Sequence, residues 1–396
     1  MATMDLSEQK VCVIGAGIGG LTAALALRQL GARVCVLEQA EAIKEVGAGL
    51  QVSPNGLAVL RGLGLASHLE ARSVKAQAVE LRDYAAGRLV AHLDLGLIKA
   101  GTPYHFVHRA DLIDLLAQAV RAAGIKILLL QNVETVHPGR DSERARVVMS
   151  NGSEMRADLV IGGDGLHSRL RGVLNGTVAP FFTRQVAWRA IVPNTMRHGN
   201  LVQVHMGPHR HLVSYPLRGG TMVNLVAVQE QAGWAEEGWH HTDDPQNLRR
   251  VFNDFGGDAR ALLGEVTEVS RWGLFRHPVA PVWHQGNCAI LGDAAHPTLP
   301  FMAQGASMAM EDAWVLRDAL ERAGTLSEGL AAYQTRREER VKRVVDAASK
   351  NAWKYHLANP VVRSAAHMGM RLATTFAPKK LVGQFDWIYS HDVTKP

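Results

Sequence analysis

The sequence predicts an α/β fold: a parallel sheet interleaved with helices, an antiparallel sheet in mid-chain, and a helical C-terminal region. Three observations predict it. A continuous apolar run meets a glycine-rich turn and an Ala/Leu-rich helix near the N-terminus. Period-two alternation takes over between Val186 and Val228. Apolar residues return to helical spacing from Glu311 onward.

The elements follow in order. Val11-Cys12-Val13-Ile14 reads as a short strand buried on both faces. Gly15-Ala16-Gly17-Ile18-Gly19-Gly20 comes next, and Leu21 to Leu30 reads as a helix that ends at Gly31. Arg33 to Leu37 is a second buried strand, closed by Glu38. That length suits a right-handed βαβ crossover, so the two strands should be parallel. Two more apolar runs, Leu159-Val160-Ile161 and Ala289-Ile290-Leu291, each enter a Gly-Asp turn. In mid-chain, His211 to Leu217 and Met222 to Val228 flank Gly219-Gly220 and read as an antiparallel hairpin. Val202 to His205 is a further strand beside them, and Trp188-Arg189-Ala190-Ile191 a strand core segment. The stretch from Gln231 to Pro245 reads as an exposed loop. Helices are expected over Glu311–Glu321, Leu326–Lys350 and Val361–Thr375. Within the second, Arg336-Arg337-Glu338-Glu339-Arg340 mixes signs at helical spacing and reads as a solvated face.

Composition limits the function. The 396 residues suggest two or three structural units. With 47% hydrophobic and 20% charged residues, a disordered or fibrous chain is excluded. The net charge of +6 is mild, and the basic residues are dispersed rather than striped among aromatics. This argues against nucleic acid and suits a small anionic ligand. Cys12, Cys35 and Cys288 form neither a disulfide framework nor a metal-ligand spacing, so no metal is expected and a reducing, cytoplasmic location fits. No apolar run is long enough for a membrane span, and Met1 to Lys10 lacks the apolar core of a signal peptide.

Three motifs carry chemistry. Gly15, Gly17 and Gly20 form G-x-G-x-x-G between a strand and a helix, with Glu38 at the end of the next strand. The first glycine permits a tight turn, the second lets backbone approach a pyrophosphate, and the third lets helix pack on strand. The helix start then offers free N–H groups and a positive dipole end, and the carboxylate can accept from ribose hydroxyls. Ala16 lies inside this turn and is counted with the nucleotide-binding residues. The second motif, Gly163-Asp164-Gly165 with Ser168 and Arg171, and the third, Gly292-Asp293-Ala294-Ala295-His296-Pro297 with Pro300 and Gln304-Gly305-Ala306, both follow strands.

In this order the motifs resemble those of the group A flavoprotein monooxygenases, the FAD-dependent aromatic hydroxylases, over nearly the whole chain. Arg109 in His108-Arg109-Ala110-Asp111-Leu112 matches a fourth family feature. Within the family, Gly47-Ala48-Gly49-Leu50-Gln51 with Pro54-Asn55, and Met302 to Ala306, are most similar to the 3-hydroxybenzoate 6-hydroxylase and salicylate hydroxylase branches. The 6-hydroxynicotinate 3-monooxygenase branch is a close cousin that carries a His where Gln51 stands.

The resemblance implies non-covalent FAD, since no Cys or His stands where a flavin link is suggested. It implies a Rossmann-like FAD-binding domain over 1–72, 100–178 and 276–322, an antiparallel-sheet substrate domain over 73–99 and 179–275, and a C-terminal helical region over 323–396. Asp293 would hold a ribityl hydroxyl and Arg109 the phosphate-ribityl region. Asp164 and Gln51 would also face the cofactor, and Val133 would contact the adenine through its backbone. Gly305 and Ala306 would start a helix aimed at the pyrimidine edge of the flavin, where the reduced ring is anionic. The family has no second dinucleotide domain and neither has this sequence, so NADH or NADPH would bind transiently at the surface.

The implied reaction is hydroxylation of a small aromatic acid of the hydroxybenzoate type with NAD(P)H and O₂, through a flavin hydroperoxide. A phenol is activated when a base takes its proton, and a His near neutral pKa suits that role. Period-two geometry puts His211, Val213 and Tyr215 on one face, and the family's matching His and Tyr face the substrate. His211 is therefore the expected base, with Tyr215 beside it and Gln304 on the substrate hydroxyl. Three other readings stay open: a hydroxynicotinate-type substrate, epoxidation or N-hydroxylation, and a non-enzymatic FAD-binding redox sensor. The oligomeric state also stays open, a homodimer among the options.

Overall fold

The computed structural model describes residues 4–43, 48–99, 101–139, 143–233 and 241–395. Gly47 and residues 234–240 of the Gln231–Pro245 stretch lie outside the described residues.

The expected parallel sheet is present. Its six strands lie in the order His284–Gln285, Cys288–Ile290, Leu159–Gly162, Lys10–Ile14, Arg33–Leu37, Lys126–Leu128. Every pairing is parallel except the His284–Gln285 hairpin at one edge. Cys12, Val13, Val160 and Ile161 are fully buried, as strands covered on both faces require. The helices Ile18–Gln29, Arg109–Ala122 and Gly305–Arg322 supply the cover. Register decides what happens next. Ile14 pairs with Gly162, and Gly162 with Ile290. The three glycine motifs therefore emerge side by side at the carboxyl edge of one sheet, the usual place for a ligand in an open α/β fold.

The mid-chain alternation builds an eight-stranded sheet in the order Thr242–Asp243, Val269–Arg276, Phe181–Pro193, Met222–Glu230, Arg210–Leu217, Leu201–Gly207, Ala78–Asp83, Leu89–Asp94. All pairings are antiparallel except Ala78–Asp83 with Leu201–Gly207. One face, with Val186, Trp188 and Leu212, packs on Leu248, Phe252 and Leu262 from two short helices. The other face turns toward the FAD-type motifs. Tyr215 and Met206 there meet Tyr104 and Phe106, while Val228 and Trp272 meet Leu299 and Phe301. A small sheet of Gly49–Val52, Tyr104–His108 and Val74–Ala76 joins the two layers. Gly49 donates from its N–H to Asn224 Oδ1 at 2.7 Å. A Cβ on Gly49 would lie 2.7 Å from the Tyr215 ring, so only glycine fits between the sheets.

The C-terminal region is helical as expected, over Leu326–Tyr355 and Pro360–Phe376. A capping box of Thr325 and Glu328 starts the first of these. The reading of Arg336–Arg340 as a solvated face needs correction. Arg337 is fully buried and pairs with Glu311 and Asp312 at 2.6 and 2.7 Å, and Arg340 pairs with Glu311 at 2.7 Å. The helix seen as charged and exposed lies over the Gly305–Arg322 helix, and its cations meet carboxylates from below. Among the described residues, no helix is long and apolar enough to cross a membrane.

Candidate active site

The carboxyl edge of the parallel sheet forms a cradle for a dinucleotide. Gly15 has φ +97°, and a Cβ there would sit 2.6 Å from Gly163 O, so the turn needs glycine. A Cβ on Gly20 would strike Gly15 O, which lets the helix close onto the strand. Gly17 differs: a Cβ there meets nothing within 4 Å. It is the N-cap of Ile18–Gln29, and no side chain caps that helix. The N-terminus of Gly305–Arg322 also lacks a side-chain cap. Two helices thus present unsatisfied N–H groups and positive dipole ends. Glu38 accepts from Ala16 N–H at 2.8 Å and Ala40 N–H at 2.9 Å. A carboxylate has four acceptor positions, so it keeps capacity for ribose hydroxyls.

The second and third motifs brace each other. Ser168 Oγ accepts from Arg171 N–H at 3.0 Å and Asp164 Oδ2 from Arg169 N–H at 2.9 Å. The Arg171 guanidinium donates to Ala294 O, Ala295 O and Pro278 O at 3.0, 3.1 and 2.7 Å. This arginine splints the Gly292–Ala294 turn. From below, Asp312 Oδ2 accepts from Gly292 N–H at 2.9 Å and bonds His296 Nε2 at 2.5 Å. Held from both sides, Asp293 keeps its side chain exposed although protein surrounds it, because it faces an open cleft. Burial raises its carboxyl pKa, while His296 and Arg109 oppose that. Asp164 Oδ1 is buried without a protein partner. Arg109 starts its helix, with its N–H on Ala48 O at 2.8 Å. Val133 opens the strand Val133–His137, next to the Gln131 N–H that donates to Glu38 O at 2.8 Å. Uncapped helix starts, open space at Gly17, an acidic residue with spare acceptors and an aspartate in the cleft together fit FAD.

Beside the cradle lies a buried aromatic cluster against the large sheet. Tyr215 packs on Phe106 at 5.2 Å, Tyr104 meets Tyr389 edge to face at 5.7 Å, and His211 lies 5.6 Å from Phe301 and 5.3 Å from Tyr355. Tyr104 Oη donates to Gln51 Oε1 at 2.8 Å. Burial raises the Tyr215 pKa, which Arg189 and Gln51 oppose. His211 is buried, and its Nδ1 bonds His356 Nε2 at 2.7 Å. His356 Nδ1 bonds Glu230 Oε1 at 2.8 Å.

The structure thus places His211 and Tyr215 on one face of the large sheet, with Gln51 on the tyrosines. Gln304 is placed differently from the expectation. Its side chain is 1% exposed, and both polar atoms bond within the protein, to Asn55 Nδ2 at 3.0 Å, Ser53 Oγ at 3.0 Å and Met302 O at 3.3 Å. It ties the helix start to the Ser53–Asn55 loop, with three of the amide's four hydrogen-bonding positions used inside the protein. Sequence reasoning missed three residues here. Arg189 carried a signal, the same alternation that exposed His211, whereas Tyr104 sits on a strand buried at every position and carried none. Arg189 lies opposite Val226, which lies opposite Val213, so all three share one face. Its guanidinium stacks 4.9 Å over Trp272. His356 follows a 30-residue helix and carried none.

A family described as an FAD-binding domain matches residues 8–348. The chain is 34% identical over 395 residues to a 3-amino-4-hydroxybenzoate 2-monooxygenase of Streptomyces cremeus, covering 98% of this chain and 96% of that protein. It is 32% identical over 400 residues to a 3-hydroxybenzoate 6-hydroxylase of Polaromonas naphthalenivorans, covering 98% and 97%. Among solved structures, Klebsiella pneumoniae HpxO complexed with FAD and uric acid superimposes with a TM-score of 0.86 at 26% identity, covering 98% and 99%.

Proposed function

The chain belongs to the FAD-binding-domain family of flavoprotein monooxygenases, and from that premise we propose that it hydroxylates a small phenolic aromatic acid of the hydroxybenzoate type, using NADH or NADPH and O₂. The Gly15–Gly20 turn and its helix would hold the pyrophosphate, Glu38 the ribose, and Val133 the adenine side. Arg109, Asp164 and Asp293 would hold the phosphate-ribityl portion. Gly305 and Ala306 would offer N–H groups to the pyrimidine edge of the ring. Bound FAD, once reduced by the nicotinamide, supplies activated oxygen.

The chain's own residues prepare the substrate. One observation carries the reading: a cation and a neutral base share one face of the sheet, with an aromatic wall around them. Two strand spacings of about 4.8 Å separate the row of Arg189 from that of Val213, which His211 and Tyr215 flank. An aromatic acid fits that span, its carboxylate on Arg189 and its phenol on His211. Burial holds His211 well below the usual imidazole range, with His356 adding to the effect. It is therefore neutral at pH 7 and can accept a proton. Phe301, Tyr355 and Phe106 close the pocket against water, and the tyrosines orient the ring.

The test is a screen of hydroxybenzoates, aminohydroxybenzoates and hydroxynicotinates for stimulated NADH and NADPH oxidation, with the product identified by mass. A product heavier by one oxygen is expected from a phenolic acid. Oxidation that no aromatic acid stimulates would refute the reading.

A further inference from the structure

The base in the pocket is one end of a chain of groups that runs to the surface. Glu230 Oε1 accepts from His356 Nδ1 at 2.8 Å, so in the neutral ring His356 Nε2 carries the lone pair. That lone pair lies 2.7 Å from His211 Nδ1, which must therefore be the protonated nitrogen. His211 Nε2 is left as the acceptor. Among the described residues it has no hydrogen-bond partner. One carboxylate thus sets the tautomers of two rings and leaves a lone pair on the His211 nitrogen outside the relay, in a ring flanked by Phe301 and Tyr355.

Burial changes steeply along the chain. His211 is 2% exposed and His356 4%, while the Glu230 side chain is 40% exposed. Its second oxygen bonds His209 Nδ1 at 2.7 Å, and that side chain is 62% exposed. We propose that His356 and Glu230 are the proton outlet of the aromatic pocket. The proposal rests on the phenolic-acid reading. The phenol proton moves to His211 Nε2 as the phenolate forms. The Nδ1 proton of His211 passes to His356 Nε2, and the Nδ1 proton of His356 passes to Glu230 Oε1. From there it leaves to water. One proton enters at His211 and one leaves at Glu230, which leaves both rings as Nε2–H tautomers. They reset when Glu230 takes a proton from water, the chain runs in reverse, and His211 Nε2 gives its proton to the hydroxylated product.

Without an outlet, His211 would serve poorly. The groups facing it are His356 and Tyr355 from the helix end and Phe301, and none is a carboxylate. Burial keeps its imidazolium unfavourable, so a proton taken from the substrate cannot rest there. Burial raises the Glu230 carboxyl, but hydrogen bonds from His209 and His356 outweigh it and hold the group ionised. His356 and Glu230 are positioning residues in this scheme, because neither touches the substrate.

The test uses the FAD-loaded enzyme mixed in a stopped-flow cell with 3-hydroxybenzoate, or the phenolic acid that the screen selects, and a pH-indicator dye. Wild type should release a proton as the phenol ionises. His356→Gln and Glu230→Ala should slow that release about 10²-fold, the lower end of what a fixed base contributes. FAD content and substrate affinity should stay within twofold or so, and Glu230→Asp should restore the release. Release at the wild-type rate in His356→Gln would overturn the outlet. A second readout needs no turnover: ¹⁵N spectra of the histidine rings in the FAD-loaded protein. His211 and His356 should both be Nδ1–H tautomers, and Glu230→Ala should mix them. A His211 tautomer that ignores Glu230 would overturn the proposal. A wild type that no phenolic acid stimulates would instead refute the phenolic-acid reading, leaving the ring spectra to decide the relay.

Discussion

Arg337 Nε lies 2.7 Å from Asp312 Oδ1, and both side chains are buried in the core. The other Asp312 oxygen holds Gly292 N–H and His296, so the guanidinium supports the turn that aims Asp293 into the cleft. Burial opposes the Asp312 charge, but His296 and Arg337 outweigh it and hold the carboxyl at about 2. Removing one partner leaves two buried carboxylates, Glu311 and Asp312, short of a cation. Arg337→Met should therefore destabilise the fold by about 3–5 kcal/mol. The urea midpoint would report it, and FAD retention should fall with it. A loss below about 1 kcal/mol would show that Arg340 alone neutralises the pair.

That arginine also marks where the sequence stopped being legible. Motif-bearing strands read cleanly, because a continuous apolar run entering a glycine turn has few alternatives. His211 and Tyr215 read cleanly because period two fixes their face. Arg337 did not, since the carboxylates that bury it lie on the preceding helix and nothing local distinguishes it from Arg336. The inward turn of Gln304 was hidden for a related reason. A polar residue at a helix start can turn toward a ligand or toward its own loop, and Ser53 and Asn55 decided which.

Glu38→Ala should weaken FAD binding more than it slows turnover. Hydrogen bonds with a charged acceptor contribute roughly 1.5–3 kcal/mol each. One such bond lost to the ribose raises the FAD dissociation constant about 10- to 10²-fold. Ala16 N–H also loses its partner, which loosens the same turn. Equilibrium dialysis would measure the constant, and kcat at saturating FAD should stay near wild type. Unchanged FAD retention on dilution would count against the ribose assignment.

Acid should destabilise the protein first through histidine. Burial lowers His205 from 6.5 to about 4, with Arg82 and His198 adding to the effect and Asp258 and Asp83 opposing it. The unfolded state then binds the proton that the folded state refuses. Stability is flat above pH 6.5 and falls as pH drops toward 4, by about 2 kcal/mol at pH 5 for this one group. Glu311 and Asp312, both at about 2, act later. Their contribution is present above pH 4 and is lost as pH falls through 2. Thermal midpoints between pH 5 and 8 would test this, and His205→Gln should flatten the slope in that window. An unchanged slope would assign the acid sensitivity to other groups.

Arg189→Ala should raise KM for the aromatic acid roughly 10- to 10²-fold, the worth of a charge-assisted hydrogen bond. Lysine is a poor replacement, because it cannot keep the planar stack on Trp272. The diagnostic is selectivity. Wild type should prefer 3-hydroxybenzoate to its neutral amide, and the variant should lose that preference. A preserved preference would place the carboxylate elsewhere.

His211→Ala tests the base itself. A phenolate reacts faster with activated oxygen than a phenol does, because its extra electron density reaches the ring carbon under attack. A fixed base contributes about 10²–10⁴-fold over water. The histidine lies on a strand of the large sheet, apart from the glycine cradle, so FAD content should hold. Flavin reduction should change less than hydroxylation. Oxygen that is activated but not transferred leaves as H₂O₂, so peroxide per NAD(P)H consumed should rise sharply near pH 7. Raising the pH ionises the phenol without help, and the peroxide fraction should fall again. Filling the lost ring volume with His211→Gln should restore packing on Phe301 and Tyr355 but not coupling. A variant that stays fully coupled at neutral pH would mean the proton leaves by another group, and one that loses FAD would mean the strand supports the cradle rather than the substrate.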